Sequence, residues 1–242
     1  MKFAVDEQCK GQSISNLIVQ VAWKHWWCDA SFELDVTIPN KKMIYTITDG
    51  SSRIEMEVVL LDNCSFIGKL VHQQKNNCTL ACLKPKMIPS LFVLRCVLHR
   101  VLISKQETKD EELEGEKIET STIGTWKTQN IHTELIYRLH AKKNIGQAFK
   151  TFGAHTNDKT ILCVACREIG THESILHQIE RDYPEEFKAL TIVSDELAIE
   201  QYLQKHVDVQ AITKIFNFTK EESKIFSLEQ NVLSYLAVRD FN

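Results

Sequence analysis

Asn144-Ile-Gly-Gln-Ala-Phe-Lys-Thr-Phe-Gly153, followed after a polar break by Thr160-Ile-Leu-Cys-Val-Ala-Cys166, holds a helix and a strand with both ends of the helix marked. An asparagine side chain can accept from the free amides of a first helical turn, and glycine often ends a helix, so Asn144 and Gly153 bracket a helix over 145–152. The apolar run from Thr160 to Cys166 is short, β-branched in part and without a polar alternate face, as a strand buried on both sides requires.

Upstream, Leu135, Tyr137 and Leu139 alternate with other residues, which predicts a strand over 133–139. Before it, Pro89-Ser90 opens a helix to about Ser104 in which Leu91, Leu94, Cys96, Val97, Leu98, Val101 and Leu102 leave little polar face. The intervening Lys105–Lys117, KQETKDEELEGEK, is too polar to bury and reads as a solvated loop or frayed helix end. Asn63 is placed to cap a short helix over 65–74, where Phe66, Ile67, Leu70 and Val71 share a side.

Further back, Phe32, Leu34, Val36 and Ile38 lie on one face of a strand, and Asp49-Gly50 is a turn signal joining Ile44–Thr48 to Arg53–Leu61 as a hairpin or meander. Downstream, a helix over 173–180, a strand over 190–193, a helix over 195–205 and a strand-like 212–218 follow. Thr219 with Glu222 forms a capping-box pattern opening a last helix whose apolar stripe is Ile225, Leu228, Val232, Tyr235 and Leu236. These elements add up to an α+β fold, a mixed α/β sandwich of a small sheet packed with helices.

The chain has 242 residues, 43% of them hydrophobic, enough for one large domain or one domain with extensions. With 29 basic against 32 acidic residues and a net charge of −3, nucleic acid would have to be held by a local patch. No apolar core of signal-peptide length occurs near Met1 and no run approaches a membrane span, so cytoplasm and nucleus are the expected compartments. Eight cysteines in that setting read as buried thiols rather than disulfides.

Local chemistry is sparse. Cys163-Val-Ala-Cys166 has the spacing of a dithiol site, but it lies in a strand, where residues three apart face opposite ways and no helix N-terminus lowers a thiol pKa. Cys64, His72, Cys78 and Cys82 can be imagined as zinc ligands, yet Cys78 and Cys82 lack a regular second pair. The glycines are isolated, without a phosphate-cradling loop, and neither a GxSxG elbow nor an HExxH helix occurs, so no cofactor is expected. Trp23, Trp26 and Trp27 beside Lys24 and His25 admit base stacking, but Val19, Val21 and Ala22 make them part of an apolar stretch. Lys84, Lys86, Lys142 and Lys143 are small basic groups of the kind usually left solvated.

Three linked segments carry a resemblance: Thr133-Glu-Leu-Ile-Tyr137, Asn144-Ile-Gly-Gln-Ala-Phe-Lys-Thr-Phe-Gly153 and Asn157-Asp-Lys-Thr-Ile-Leu-Cys-Val164. In order and spacing they resemble the PRPK-binding proteins, the TPRKB family, and the likeness extends over roughly 44–240. Met1–Met43 is then an N-terminal extension of unknown role, and the polar insertion near 105–124 lengthens a connection that is short in the family. The resemblance implies a non-catalytic subunit of the KEOPS/EKC complex, bound to its small atypical kinase PRPK and through it to the threonylcarbamoyl-transferase subunit. It also implies help in holding the ANN-decoding tRNAs on which the complex installs threonylcarbamoyl-adenosine, and stimulation of the kinase's ATPase activity.

For the kinase, helical faces are the candidates: Phe92 and Arg95 on the central helix, and Leu228, Val232, Tyr235 and Leu236 near the C-terminus. For tRNA they are Lys142, Lys143 and Arg239, since phosphate contacts need basic side chains. A thiol-dependent redox protein using Cys163 and Cys166, and a scaffold whose Trp-rich extension selects another partner, are the competing readings.

Overall fold

The computed structural model describes residues 44–48, 53–77, 80–113, 127–168 and 174–241. The expectations for the Phe32–Ile38 strand, the tryptophan cluster, the Asp49-Gly50 turn and Cys78 lie outside the described residues, as does 114–124 of the polar insertion.

A five-stranded, wholly antiparallel sheet organises the chain. Strand β1 (Ile44–Thr48) runs back along β2 (Arg53–Asp62), with Ile44 opposite Glu57 and Thr48 opposite Arg53, which is the expected hairpin. On its other side β2 pairs along nearly its whole length with β4 (Ile161–Glu168), from Ile54 opposite Glu168 to Leu61 opposite Ile161. The short β3 (Ala81–Leu83) borders β4, and β5 (Thr191–Val193) pairs with the end of β2 on the edge that β1 also uses. Consecutive buried residues, Met56–Leu61 and Ile161–Cys166, make β2 and β4 the centre of the core.

Helices cover both faces. Val59, Leu61, Ile161 and Cys163 pack with Phe66, Ile67 and Leu70 from α1 (Ile67–Asn77) and its lead-in, and with Ile175 and Ile179 of α5 (Ile175–Asp182). Glu57, almost wholly buried, accepts from the Ser174 hydroxyl at 2.6 Å and the Ile175 amide at 2.9 Å, so a carboxylate of the sheet caps α5. By alternation Val58, Leu60, Leu162 and Val164, all fully buried, face the other way. There α3 (Ile131–Leu139) packs on β3 and β4, and α2 (Leu91–Leu113) packs on α3.

The bracketed helix is α4 (Ile145–Phe152), and Asn144 accepts from the Gln147 amide at 2.9 Å as its sequence suggests. Gly153 has an ordinary negative φ of −68°. It is needed for closeness instead: a Cβ there would lie 2.7 Å from the Phe149 carbonyl oxygen. After α5 come α6 (Pro184–Phe187), α7 (Glu196–His206), α8 (Val209–Phe216), α9 (Lys220–Ile225) and α10 (Leu228–Phe241). The described part is thus α+β, as expected, with helices in excess. Among the described residues no helix is long and apolar enough to cross a membrane.

Five local expectations are corrected. Residues 133–139 form helix, not strand: Asn130 accepts from the Thr133 amide at 2.9 Å, and Glu134 and Arg138, four apart, pair at 2.7 Å while both are buried. With every residue from Glu134 to Leu139 buried, α3 shows no polar face from which a helical period could be read. Residues 212–218 likewise form most of α8, whose buried pair Ile212 and Phe216 is spaced at i, i+4, and which ends where Asn217 turns left-handed at φ 57°. The helix opened at Ser90 continues through Leu113, so the start of the polar stretch is helical. Asn63 does not cap α1 but reverses the chain at φ 55°. The last helix is two: Thr219 and Glu222 cap α9, and Ser227 and Gln230 exchange the same pair of bonds, at 3.0 and 3.2 Å, to open α10.

Candidate functional site

The residues singled out for the kinase fall on α2 and α10, which pack against one another. Ser90 accepts from the Val93 amide at 3.3 Å, and the Glu200 carboxylate of α7 takes the Leu91 amide at 2.9 Å, so the start of α2 is fixed by a negative charge at its positive end. One turn on, Arg95 pairs with Glu196 of α7. Phe92, between these two anchors, is half-buried. Burial pushes the Cys96 thiol up to about 12, with the Arg95 charge opposing the shift and that of Glu229, at the facing end of α10, adding to it.

On α10 the expected stripe separates into two faces. Val232 and Leu236 are 2% and 4% exposed and belong to the core, with Leu233 and Ala237 beside them. They are removed as contact residues because α10 needs an inner face. Leu228 is half-buried and Tyr235 is 41% exposed. Tyr235 meets Phe216 edge-on at 5.6 Å and Phe218 at 6.3 Å, so its ring is held by α8 and the following turn while one side stays in water. Val238, 45% exposed and three residues beyond Tyr235, continues this face and was missed by the sequence reading. The spacing 228, 235, 238 marks it, once α10 is known to begin at Leu228.

The tRNA candidates also separate. Lys142 and Lys143 are exposed in the turn between α3 and α4. Arg239 is 7% exposed: its Nη1 donates to the carbonyls of Tyr137, Arg138 and His140 at 3.3, 3.0 and 2.7 Å, and its guanidinium lies 4.8 Å over the Tyr137 ring. Its charge caps the end of α3 and is not presented to a phosphate. Lys84 is likewise engaged, donating to the Lys150 carbonyl at 2.8 Å, and burial lowers its pKa; Lys86 is exposed.

The dithiol reading is overturned. Cys163 sits opposite Cys82 in the sheet, and a hydrogen bond with that thiol, added to full burial, pushes its pKa well up. Burial alone pushes Cys166 far above the ordinary thiol value. Both shifts run against a thiolate, and the two side chains face opposite sides of β4. Burial likewise holds Cys64 at about 11. Cys64 and Cys82 lie in the apolar cluster against α1, while His72 is exposed. Among the described residues no group of three or more His, Cys, Asp or Glu side chains is placed to hold a metal ion.

Comparison with known proteins gives one direction. The chain is 25% identical over 118 residues to a Danio rerio protein named EKC/KEOPS complex subunit TPRKB, an overlap of 49% of this chain and 61% of that one. It is 24% identical over 144 residues to a Candida glabrata protein named EKC/KEOPS complex subunit CGI121, covering 58% of this chain and 66% of that one. The match therefore spans somewhat under two thirds of either relative's length. The model of the family described as kinase binding protein CGI-121 matches residues 58–240, from the middle of β2 to the end of α10. The match takes in β2 from Val58 onward, β3, β4, β5, the covering helices and both candidate surfaces, and the chain belongs to the CGI-121 kinase-binding protein family.

Proposed function

We propose that this protein is a non-catalytic subunit of a KEOPS/EKC assembly that binds and stimulates a small atypical kinase of the PRPK type and helps hold tRNA for threonylcarbamoyl-adenosine modification. The observation that carries the reading is the family match across residues 58–240. The thiols favour a binding role over chemistry: Cys163 and Cys166 are buried on opposite sides of β4, the hydrogen bond with Cys82 and burial raising the pKa of the first and burial that of the second. The kinase surface is formed by Phe92, Leu228, Tyr235 and Val238, with the Arg95–Glu196 pair beside it; the Tyr235 ring, held by Phe216 and Phe218, loses little side-chain freedom on docking. Lys142 and Lys143 contribute the tRNA contact as exposed point charges. The protein acts in the cytoplasm and nucleus, where the modifying complex meets its tRNA.

The test is recovery of tagged full-length protein from its own cells, identification of bound chains by mass spectrometry, and assay of ATPase activity in any small kinase recovered, with and without added protein. Co-recovery of that kinase and the threonylcarbamoyl-transferase subunit, with ATPase stimulation, is the expected result. Recovery of neither would overturn the assignment.

A further inference from the structure

The three carbonyls gathered by Arg239 belong to the end of α3, and the chain leaves that end directly into the Lys142–Lys143 turn. The last carbonyls of a helix are mostly without a partner in it; that of Tyr137 still accepts from the His140 amide at 3.3 Å, and all three, of Tyr137, Arg138 and His140, converge on one nitrogen of α10. From His140 the connection continues. Its ring packs edge-on against Phe152 of α4 at 6.0 Å, and its Nδ1 accepts from the Lys142 amide at 3.0 Å. The Lys142 carbonyl accepts from the Asn144 amide at 2.8 Å, and the Asn144 side chain caps α4. Every residue from 142 to 147 is exposed, so the turn has little burial to hold it and depends on this chain of hydrogen bonds.

We propose that Arg239 is a positioning residue for tRNA binding: it reaches from the C-terminal helix to lock the end of α3 and thereby fixes the direction in which Lys142 and Lys143 are presented. The inference rests on the reading of that turn as a tRNA contact. Arg239 itself touches no phosphate. It also places the presentation of the turn under the control of α10, the helix whose outer face carries Tyr235 and Val238.

The test uses the full chain with Arg239→Met, which keeps the apolar stem and removes the donors, Arg239→Lys, which restores a cation, and the double variant Lys142→Glu with Lys143→Glu. Amide hydrogen exchange is followed over 140–147 and, as an internal reference, over β4, and tRNA affinity is measured across a salt series. The expected result for R239M is about tenfold faster exchange in 140–147 with β4 unchanged. Its tRNA affinity falls about three- to tenfold with a salt slope like that of the native chain, because no phosphate contact is lost. R239K recovers part of both effects. If R239M also accelerates exchange in β4, Arg239→Gln, which retains a donor, is judged by the same criteria. Unchanged exchange in 140–147, or a loosened turn with native tRNA affinity while the double variant binds weakly, overturns the proposal. A double variant that binds tRNA like the native chain overturns the reading of the turn itself.

Discussion

The sheet and the C-terminal helices are built on different economies of burial. In β2 and β4 every residue of Met56–Leu61 and Ile161–Cys166 is buried, because both faces are covered. By contrast α7 buries Ile199 and Leu203, α8 buries Ile212 and Phe216, and α9 buries none. Leu197, Val209 and Ile225 are left in water by this outer layer, and α10, whose inner face is core, leaves Tyr235 and Val238 there too. Single exposed apolar residues are ordinary on any protein surface. Tyr235 is different in that neighbouring aromatic rings hold it in place while it stays accessible. The comparison teaches that the sheet sets the shape and the helical layer, held by few anchors each, offers the surface.

The sharpest way to break that contrast is to remove volume on each side of it. Leu162→Ala in β4 should cost about 2–5 kcal/mol, read as a shift in the denaturant midpoint. Leu197→Ala, at a residue 65% exposed, should change stability by less than about 0.5 kcal/mol in the same assay. Equal losses would mean that the outer layer is packed as tightly as the sheet. Next comes Gly153→Ala, whose added methyl meets the Phe149 carbonyl at 2.7 Å and should cost about 1–3 kcal/mol by thermal unfolding. A neutral result would show that the end of α4 has room to give.

A smaller effect is expected in the outer layer itself. Thr219→Ala removes the hydroxyl that accepts from the Glu222 amide at 3.1 Å and should cost about 0.5–2 kcal/mol, the range of a lost helix cap. Because α9 buries nothing, the loss should register as faster exchange in 219–225 and hardly at all in β4. The smallest effect concerns pH. Burial, with the nearby charges of Arg239 and Lys142, lowers the pKa of His140 in the folded chain below its ordinary 6.5. The unfolded chain then binds that proton more readily, so the contribution is intact above about pH 6.5 and is lost as pH falls from there toward the folded value. His140→Gln should flatten the decline in melting temperature between pH 7 and 5, and an unaltered slope would place the pH dependence elsewhere.

The same contrast accounts for what could be read in advance. The hairpin, β4, α4 with its Asn144 cap, and the Thr219 capping box were legible because each carries a local signal, a period or a side chain that bonds its own backbone. The two helices mistaken for strands misled in different ways. In α3 both faces are buried, and the polar residues that broke its apolar run, Glu134 and Arg138, neutralise each other inside. In α8 the β-branched residues 212, 213 and 215 imitate a strand. For the candidate surface, Leu228 and Tyr235 were chosen from spacing, and the fold leaves both in part accessible. Arg239 was taken for a phosphate contact because its partners are carbonyls 99 to 102 positions away, which no local pattern reveals.

The most direct test of the central claim is a titration of the purified small atypical kinase with the full chain, native and carrying Leu228→Glu with Tyr235→Glu, followed by isothermal calorimetry. The expected result is a one-to-one complex for the native chain and at least about tenfold weaker binding for the double variant, equivalent to about 1.4 kcal/mol, measured at a temperature where circular dichroism shows the variant folded. Absence of a complex with the native chain, or equal binding by the double variant, would contradict the claim that the outer face of the C-terminal helix docks the kinase.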